Sequence, residues 1–260
     1  MPDPIPSLQP RQESTRPRPE LVSTGEFADG RSREQSIEHN KEILAQDVLL
    51  GPTYQLCYEA ALEQFPELGD VAILAKSGSS HSPGSARSRY AANNTTGRHQ
   101  MGVNMVPGTV ESVLVQLEQR PSTKKIFMDY LGITDPAKLT PKRIMAHIFL
   151  HELGHTLDYI RLIDSPEAHK RFKKRREEEV AIHLPIPGVK TGQLLDPEYQ
   201  TKLLALNPDL FERMKVSGFS ELASKQEIGY RHMPTEVFAD SFAAAMLKRE
   251  KFTLTSSAEL

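Results

Sequence analysis

The feature that most constrains the fold is an apolar helical pattern that carries a cluster of ionisable side chains. Thr140 is well suited to cap the N-terminus of a helix, and Pro141 to begin it. Apolar residues then recur at helical spacing through Ile144, Ile148, Leu153, Leu157 and Ile160. Because polar groups are costly in an apolar setting unless they have partners, the polar residues inside this helix call for an explanation.

Those polar residues form the run His151-Glu152-Leu153-Gly154-His155. Positions four apart on a helix differ by about 40° around its axis, so both imidazoles project from one face. This is the His-Glu-x-x-His arrangement, in which the histidines bind zinc and the glutamate is a general base. Zinc lowers the pKa of its water to about 7, and Glu152 would take the proton as that water attacks a carbonyl. The alternative is a structural role, in which these residues form a polar face of a core helix and their polar groups have hydrogen-bond partners.

A catalytic zinc also needs a third protein ligand and an open fourth position. The metzincin pattern is excluded, because it requires Gly and His where this chain has Asp158 and Arg161. In the last predicted helix, which starts near Thr235, Glu236 and Asp240 share a face. We predict Glu236 as the ligand and Asp240 as the carboxylate that orients a ligating histidine. Alternatively, both only solvate an amphipathic helix.

Other polar residues near these motifs are weaker candidates. His147 precedes His151 by one turn, but a fourth protein ligand would close the site, so we interpret His147 as a structural flanking residue. His169 and His183 are alternative third ligands. Tyr230 could donate a hydrogen bond to negative charge that develops on a substrate carbonyl; His232 could do so instead, or both could be structural.

Together, the run His151 to Tyr159 and the segment Tyr230 to Phe242 resemble the gluzincin metallopeptidases. The similarity is to the anthrax lethal factor-like and Pro-Pro endopeptidase catalytic domains. It implies a zincin-like fold, Glu152 as the base, Glu236 as the third zinc ligand, Asp240 as a supporting carboxylate and Tyr230 as the oxyanion donor.

The resemblance covers two motifs in the C-terminal half of the chain. The chain differs from the family in having Asp rather than Glu at position 240 and in placing Tyr230 one residue closer to Glu236. The long separation of the two motifs implies an insertion around residues 177–209. The final helix is also similar to that of metallopeptidases that cleave bacterial repressors.

Elsewhere, the element order predicts an α+β fold. Residues 1–36 are rich in proline and poor in large apolar side chains, which predicts a disordered leader before a metallopeptidase domain at residues 37–260. Strands are predicted at 71–75 and 99–105, with a long polar loop at 77–98 between them. We expect the strand at 99–105 to be the edge strand above the metal that binds an extended peptide. A helical C-terminal subdomain follows the metal helix.

Composition narrows the class of protein further. A net charge of −2 gives no general attraction to nucleic acid or to anionic membranes. The single cysteine, Cys57, excludes an internal disulfide and a cysteine-based zinc site. No apolar run reaches the roughly 20 residues of a membrane span, and no signal peptide is evident, so we expect a cytoplasmic protein or one exported without a classical signal.

The sequence therefore predicts a zinc-dependent metalloendopeptidase that acts on a peptide or protein substrate. Two alternatives remain. One is a hydrolase with the same motif that acts on something other than an internal peptide bond. The other is a zinc-binding regulatory or interaction module without turnover.

Overall fold

The structure, a computed structural model, describes residues 31–47, 50–76, 86–90, 99–104, 118, 121–163, 166–206 and 208–248. Most of these residues are helical. The helices are α1 (Arg33–Ala45), α2 (Gly51–Gln64), α3 (Pro121–Leu131), α4 (Pro141–Leu162), α5 (Pro166–His183), α6 (Thr191–Leu194), α7 (Pro197–Leu206), α8 (Pro208–Arg231) and α9 (Pro234–Leu247). Short 3-10 helices occupy Pro66–Asp70 and Pro136–Lys138.

The strands are β1 (Ala72–Lys76), β2 (Ala86–Tyr90) and β3 (His99–Asn104), which form a sheet in the order β1-β3-β2. The central strand β3 pairs parallel with β1, with Ala72 opposite Gln100. It pairs antiparallel with β2, with Ala86 opposite Val103. The sheet therefore has β1 and β2 at its edges among the described strands.

Helix α4 begins as its sequence predicts. The Thr140 hydroxyl accepts a hydrogen bond from the Arg143 amide at 3.3 Å, which satisfies one of the free N–H groups of the first turn. The apolar side of α4 enters the main core, where Phe149 stacks on Tyr54 of α2 with ring centroids 4.9 Å apart. Helix α4 also packs on β2 and β3 and, most extensively, on α9.

The approach of α9 to α4 depends on Gly154. A Cβ atom at Gly154 would lie 3.1 Å from the Cα of Ala239 and 3.2 Å from a ring carbon of Phe242. Such distances are tighter than ordinary van der Waals contact, so a side chain here would push the two helices apart. The glycine inside the His-Glu-x-x-His run therefore lets the helix that carries Glu236 and Asp240 come close to the histidines.

The N-terminal helices are tied to the sheet by Asn40 of α1. Its side-chain amide donates to the Tyr58 hydroxyl and to the Val71 carbonyl, both at 2.8 Å, and its oxygen accepts from the Ile73 amide at 2.9 Å. Asn40 is buried, so each of these bonds satisfies a polar group that water cannot reach.

Helices α6 to α8 and the segment before α6 pack around a separate hydrophobic cluster of Leu194, Leu222 and Ala223. The side-chain amide of Gln226 on α8 bonds the Ile186 and Val189 carbonyls and so holds the segment that follows α5. The described residues that follow α4 are mostly helical, as predicted. Helix α8 is broken at Gly218, where φ is 70°.

The structure corrects several sequence predictions. Strand β2 lies inside the predicted loop at 77–98, and β3, predicted as an edge strand, is the central one. Helix α1 begins at Arg33, before the predicted end of the leader, and the Ser32 hydroxyl accepts a hydrogen bond from the Gln35 amide as its N-cap. The predicted leader up to residue 30 lies outside the described residues.

Cys57 is buried in α2, and burial raises the pKa of its thiol, as is typical of a cysteine that only packs in a core. In the part of the chain that the structure describes, no helix has both the length and the apolarity to cross a bilayer.

The crossing of α5 and α8 generates a prediction at Gly229. A Cβ atom there would overlap the carbonyl oxygen of His183, a backbone atom that cannot swing aside. We expect Gly229→Ala to lower the free energy of unfolding by about 1–3 kcal/mol, the usual cost of overpacking. Urea unfolding measures this.

The matched control is Gly192→Ala, because a Cβ atom at Gly192 meets nothing within 4 Å. We expect this variant to stay within about 0.5 kcal/mol of the parent. Equal unfolding midpoints for the two variants would contradict the proposed close crossing.

Candidate metal centre

Two imidazoles and one carboxylate from different helices meet at a single point. On α4, His151 and His155 stand one turn apart, as their spacing predicts. Their Nε2 atoms lie 3.2 Å and 3.4 Å from the Oε2 atom of Glu236, which α9 supplies from its first turn. The structure thus brings together all three predicted metal ligands, although 80 residues of chain lie between the two motifs.

The other nitrogen of the His151 ring faces Asp240. The Nδ1 atom of His151 lies 2.7 Å from Oδ1 of Asp240, a hydrogen-bond distance. This contact fixes the ring so that Nε2 points toward His155 and Glu236. A carboxylate behind a ligating imidazole is a common arrangement in metal sites, where it sets the tautomer and orientation of the ring.

The same Asp240 oxygen also lies 3.1 Å from Nε2 of His147. His147 is fully buried, and its ring packs on that of Phe127 at 4.5 Å. The prediction that His147 is a flanking residue is therefore incomplete, because the side chain is part of the hydrogen-bonded network behind the site. The periodicity contained a signal for this, since residues 147, 151 and 155 all follow the four-residue spacing.

Burial and neighbouring charges shift the pKa values of Glu236 and Asp240 in opposite directions. Burial alone would raise the pKa of Glu236, but the imidazoles of His151 and His155 hold it well below its usual range. Burial likewise opposes ionisation of Asp240, but His147, His151 and the guanidinium of Arg231 keep its pKa low. Both carboxylates are consequently ionised at neutral pH, as metal ligation and its support require.

The donor set fits a metal ion. Oε2 of Glu236 is buried and makes no hydrogen bond with good geometry, although it faces two imidazole nitrogens. Two imidazole nitrogens and one carboxylate oxygen form a ligand set that zinc takes in catalytic sites, where a fourth position stays open. Among the described residues, His151, His155 and Glu236 could therefore hold a metal ion.

A second group, His147, His151 and Asp240, also has the spacing to hold a metal ion. It shares His151 with the first group but uses the other ring nitrogen, and its distances are those of hydrogen bonds. Because both of these contacts end on one Asp240 oxygen, we interpret this group as the support of the first.

Glu152 and Tyr230, the two predicted catalytic residues, each interact electrostatically with a predicted ligand. Glu152 follows His151 on α4, is partly buried, and its charge contributes to the raised pKa of His151. Tyr230 is near the C-terminal end of α8. Burial, and then the negative charge of Glu236, raises the pKa of its hydroxyl, so the phenol keeps its proton at neutral pH. A protonated phenol is a hydrogen-bond donor, as the predicted role requires.

Arg231 supports the same region from behind. Its guanidinium lies over the rings of Phe127 at 5.3 Å and Tyr230 at 5.6 Å, which are cation–π distances. One of its nitrogens is 3.7 Å from Asp240 Oδ1. Arg231 thus links the tyrosine to the carboxylate that orients His151, and no motif in the sequence singled it out.

The alternative site residues lie elsewhere. His232 is exposed, and its Nδ1 atom lies 2.7 Å from the Ile228 carbonyl, so its contact is with the backbone at the end of α8. Neither His169 nor His183 belongs to a metal-competent group of the described residues. The geometry therefore favours Glu236 over both histidines as the third ligand.

Comparisons of the chain with protein-family models, with curated proteins and with solved structures give no match.

Asp240 offers a direct test of the supporting network. Asp240→Asn keeps the size of the side chain but removes the charge that orients His151 and favours its ligation. We expect zinc affinity, measured by competition with a chelating dye, to fall by about 10–100-fold, as is typical when such a partner is lost. Val237→Ala, a change at a more exposed position of the same helix, should leave the affinity unchanged. Equal affinity in the parent and Asp240→Asn would refute this role.

The protonation of His151 generates a second prediction. Burial alone would lower the pKa of His151, but Asp240 and Glu236 raise it to about 9. The metal-free protein therefore holds a proton on His151 below pH 9, and this proton must leave when a metal binds. Zinc affinity should accordingly weaken as the pH falls, by about tenfold per unit for this one proton.

Calorimetric titration with zinc at pH 8, in two buffers of different ionisation enthalpy, measures the proton release. We expect His151 to contribute close to one proton per zinc. Asp240→Asn should release less, because it lacks the carboxylate that contributes most to the raised pKa of His151. Binding of zinc to the parent without proton release would contradict the prediction.

Proposed function

We propose that the chain is a zinc-dependent metalloendopeptidase with a zincin-like active site. The observation that carries this proposal is the convergence of His151 Nε2, His155 Nε2 and Glu236 Oε2 at 3.2–3.4 Å, beside a glutamate at the next helical position. A site built only to hold a metal needs no glutamate at that position, whereas hydrolysis needs a base beside the ligands.

The bound zinc would act as a Lewis acid, which lowers the pKa of its water and polarises a peptide carbonyl. The residues of the chain then have distinct tasks. Glu152 takes a proton from the attacking water and returns it to the leaving amine, and Asp240 holds the His151 ring in place. Tyr230, whose raised pKa keeps it protonated, donates a hydrogen bond to the substrate oxyanion.

A substrate peptide would bind along the edge that β2 forms among the described strands. Strand β2 is an edge strand among the described strands and packs against α4, the helix that carries His151 and His155. An unpaired edge offers main-chain N–H and C=O groups to an extended peptide. We therefore assign to β2 the role that the sequence pattern gave to residues 99–105.

The test of the reaction is Glu152→Gln, which removes the base but keeps the shape. Zinc content should stay near one equivalent, while cleavage of a peptide library, followed by mass spectrometry, should fall by about 10²–10⁴-fold. The matched control is Glu178→Gln on the exposed side of α5, which should retain both properties.

Glu236→Ala separates binding from chemistry, because it should lose zinc as well as hydrolysis. Equal cleavage by the parent and Glu152→Gln would remove the base assignment. A parent that binds zinc but cleaves no peptide would favour the zinc-binding module without turnover, or a hydrolase that acts on other substrates.

A further inference from the structure

The carboxylate of Glu236 is divided between two partners. While Oε2 faces the two imidazoles, Oε1 lies 2.5 Å from the Nη2 atom of Arg176 on α5. We propose that Arg176 is a positioning residue that takes one oxygen of Glu236 and so presents only the other to the metal. The inference rests on the proposed metal site but not on the proposed peptidase activity.

Arg176 is itself held in place by a second set of contacts. Its Nη1 atom lies 3.6 Å from Oε2 of Glu179, one turn further along α5. That same Glu179 oxygen accepts a hydrogen bond from the Thr235 hydroxyl at 3.0 Å, and Thr235 precedes Glu236 on α9. The guanidinium therefore pairs with a carboxylate of its own helix, and that carboxylate in turn bonds the helix that carries Glu236.

The chemistry of the two groups supports this role. A carboxylate with both oxygens available can bind a metal through either or both of them, which changes the number of ligands. A guanidinium is always charged and donates in a fixed plane, so it holds Oε1 in one direction. The Arg176 side chain is 28% exposed and that of Glu236 only 1%, so water competes little for the carboxylate.

A second effect of Arg176, weaker metal binding, is also physically possible. The direction in which zinc affinity changes when Arg176 is removed distinguishes the two effects. A positive charge next to a ligand repels a metal cation, so an arginine that only neutralises Glu236 would weaken metal binding. If Arg176 positions the carboxylate, its removal lowers zinc affinity. If it only competes with the cation, its removal raises zinc affinity.

The experiment compares the parent chain with Arg176→Met, Arg176→Lys and the control Arg175→Met. Arg175 neighbours Arg176, is more exposed, and pairs with Glu179 through its Nε atom at 3.0 Å. We measure zinc affinity by competition with a chelating dye, and we record the visible absorption of the cobalt(II) form, whose intensity falls when the ion gains a fifth ligand.

For Arg176→Met we expect a loss of zinc affinity of about 10–100-fold and weaker cobalt bands. Arg176→Lys should recover most of both, because an ammonium can still donate to Oε1, and Arg175→Met should match the parent. Should Arg176→Met fail to fold, as judged by circular dichroism, Arg176→Gln is measured in its place with the same expectation.

The outcomes separate this inference from the proposed function. Unchanged or higher zinc affinity in Arg176→Met, with the cobalt bands of the parent, would overturn the positioning role alone. A parent that binds neither zinc nor cobalt would overturn the metal site and, with it, the proposed function.

Discussion

The candidate metal site depends on the close contact between α4 and α9 at Gly154. This contact brings together two rows of side chains, each spaced four residues apart along its helix. The row on α4 is His147, His151 and His155, and the row on α9 is Glu236 and Asp240. Asp240 lies between the first two histidines and Glu236 between the last two, so the two helices run antiparallel across the site. Each carboxylate is thereby shared by two imidazoles, and the helix period fixes the whole pattern.

Burying these charged side chains costs free energy unless every charge has a partner. Asp240 and Glu236 are both fully buried, and each has cationic groups on more than one side. Removing one partner of a buried charge generally costs more than the pair contributes, because the other charge is left without compensation. The side chains therefore form a single unit, in which the supporting residues His147, Arg176 and Arg231 belong to the site as much as the predicted ligands do.

The parts of this site that the sequence predicts are those with local periodicity. The cap at Thr140, the face shared by His151 and His155, and the face shared by Glu236 and Asp240 all follow from helix geometry within one element. That Glu236 meets the histidines required a pairing of distant elements, which the sequence suggested only indirectly, through the need for a third ligand and through the family resemblance.

The predictions that failed depended on relations between elements. Strand β2 is a polar five-residue segment in a stretch rich in Ser, Gly and Asn, and only its pairing with β3 makes it a strand. The edge position of a strand is a property of the sheet order, which residues 99–105 do not encode locally. Arg176 lies in a run of like charges, where nothing distinguishes it from Arg175 except the helix that packs opposite.

The histidines of α4 and the carboxylates of α9 are far apart along the chain, and this separation has a thermodynamic consequence. A cation held by His151, His155 and Glu236 would join residues that are far apart in sequence and enclose helices α5 to α8 in one loop. Such a bond acts as a cross-link on the denatured chain, whose freedom it restricts in proportion to the logarithm of the loop length. The ion would then contribute to holding the chain folded as well as to its chemistry, and a chelator would act on both at once.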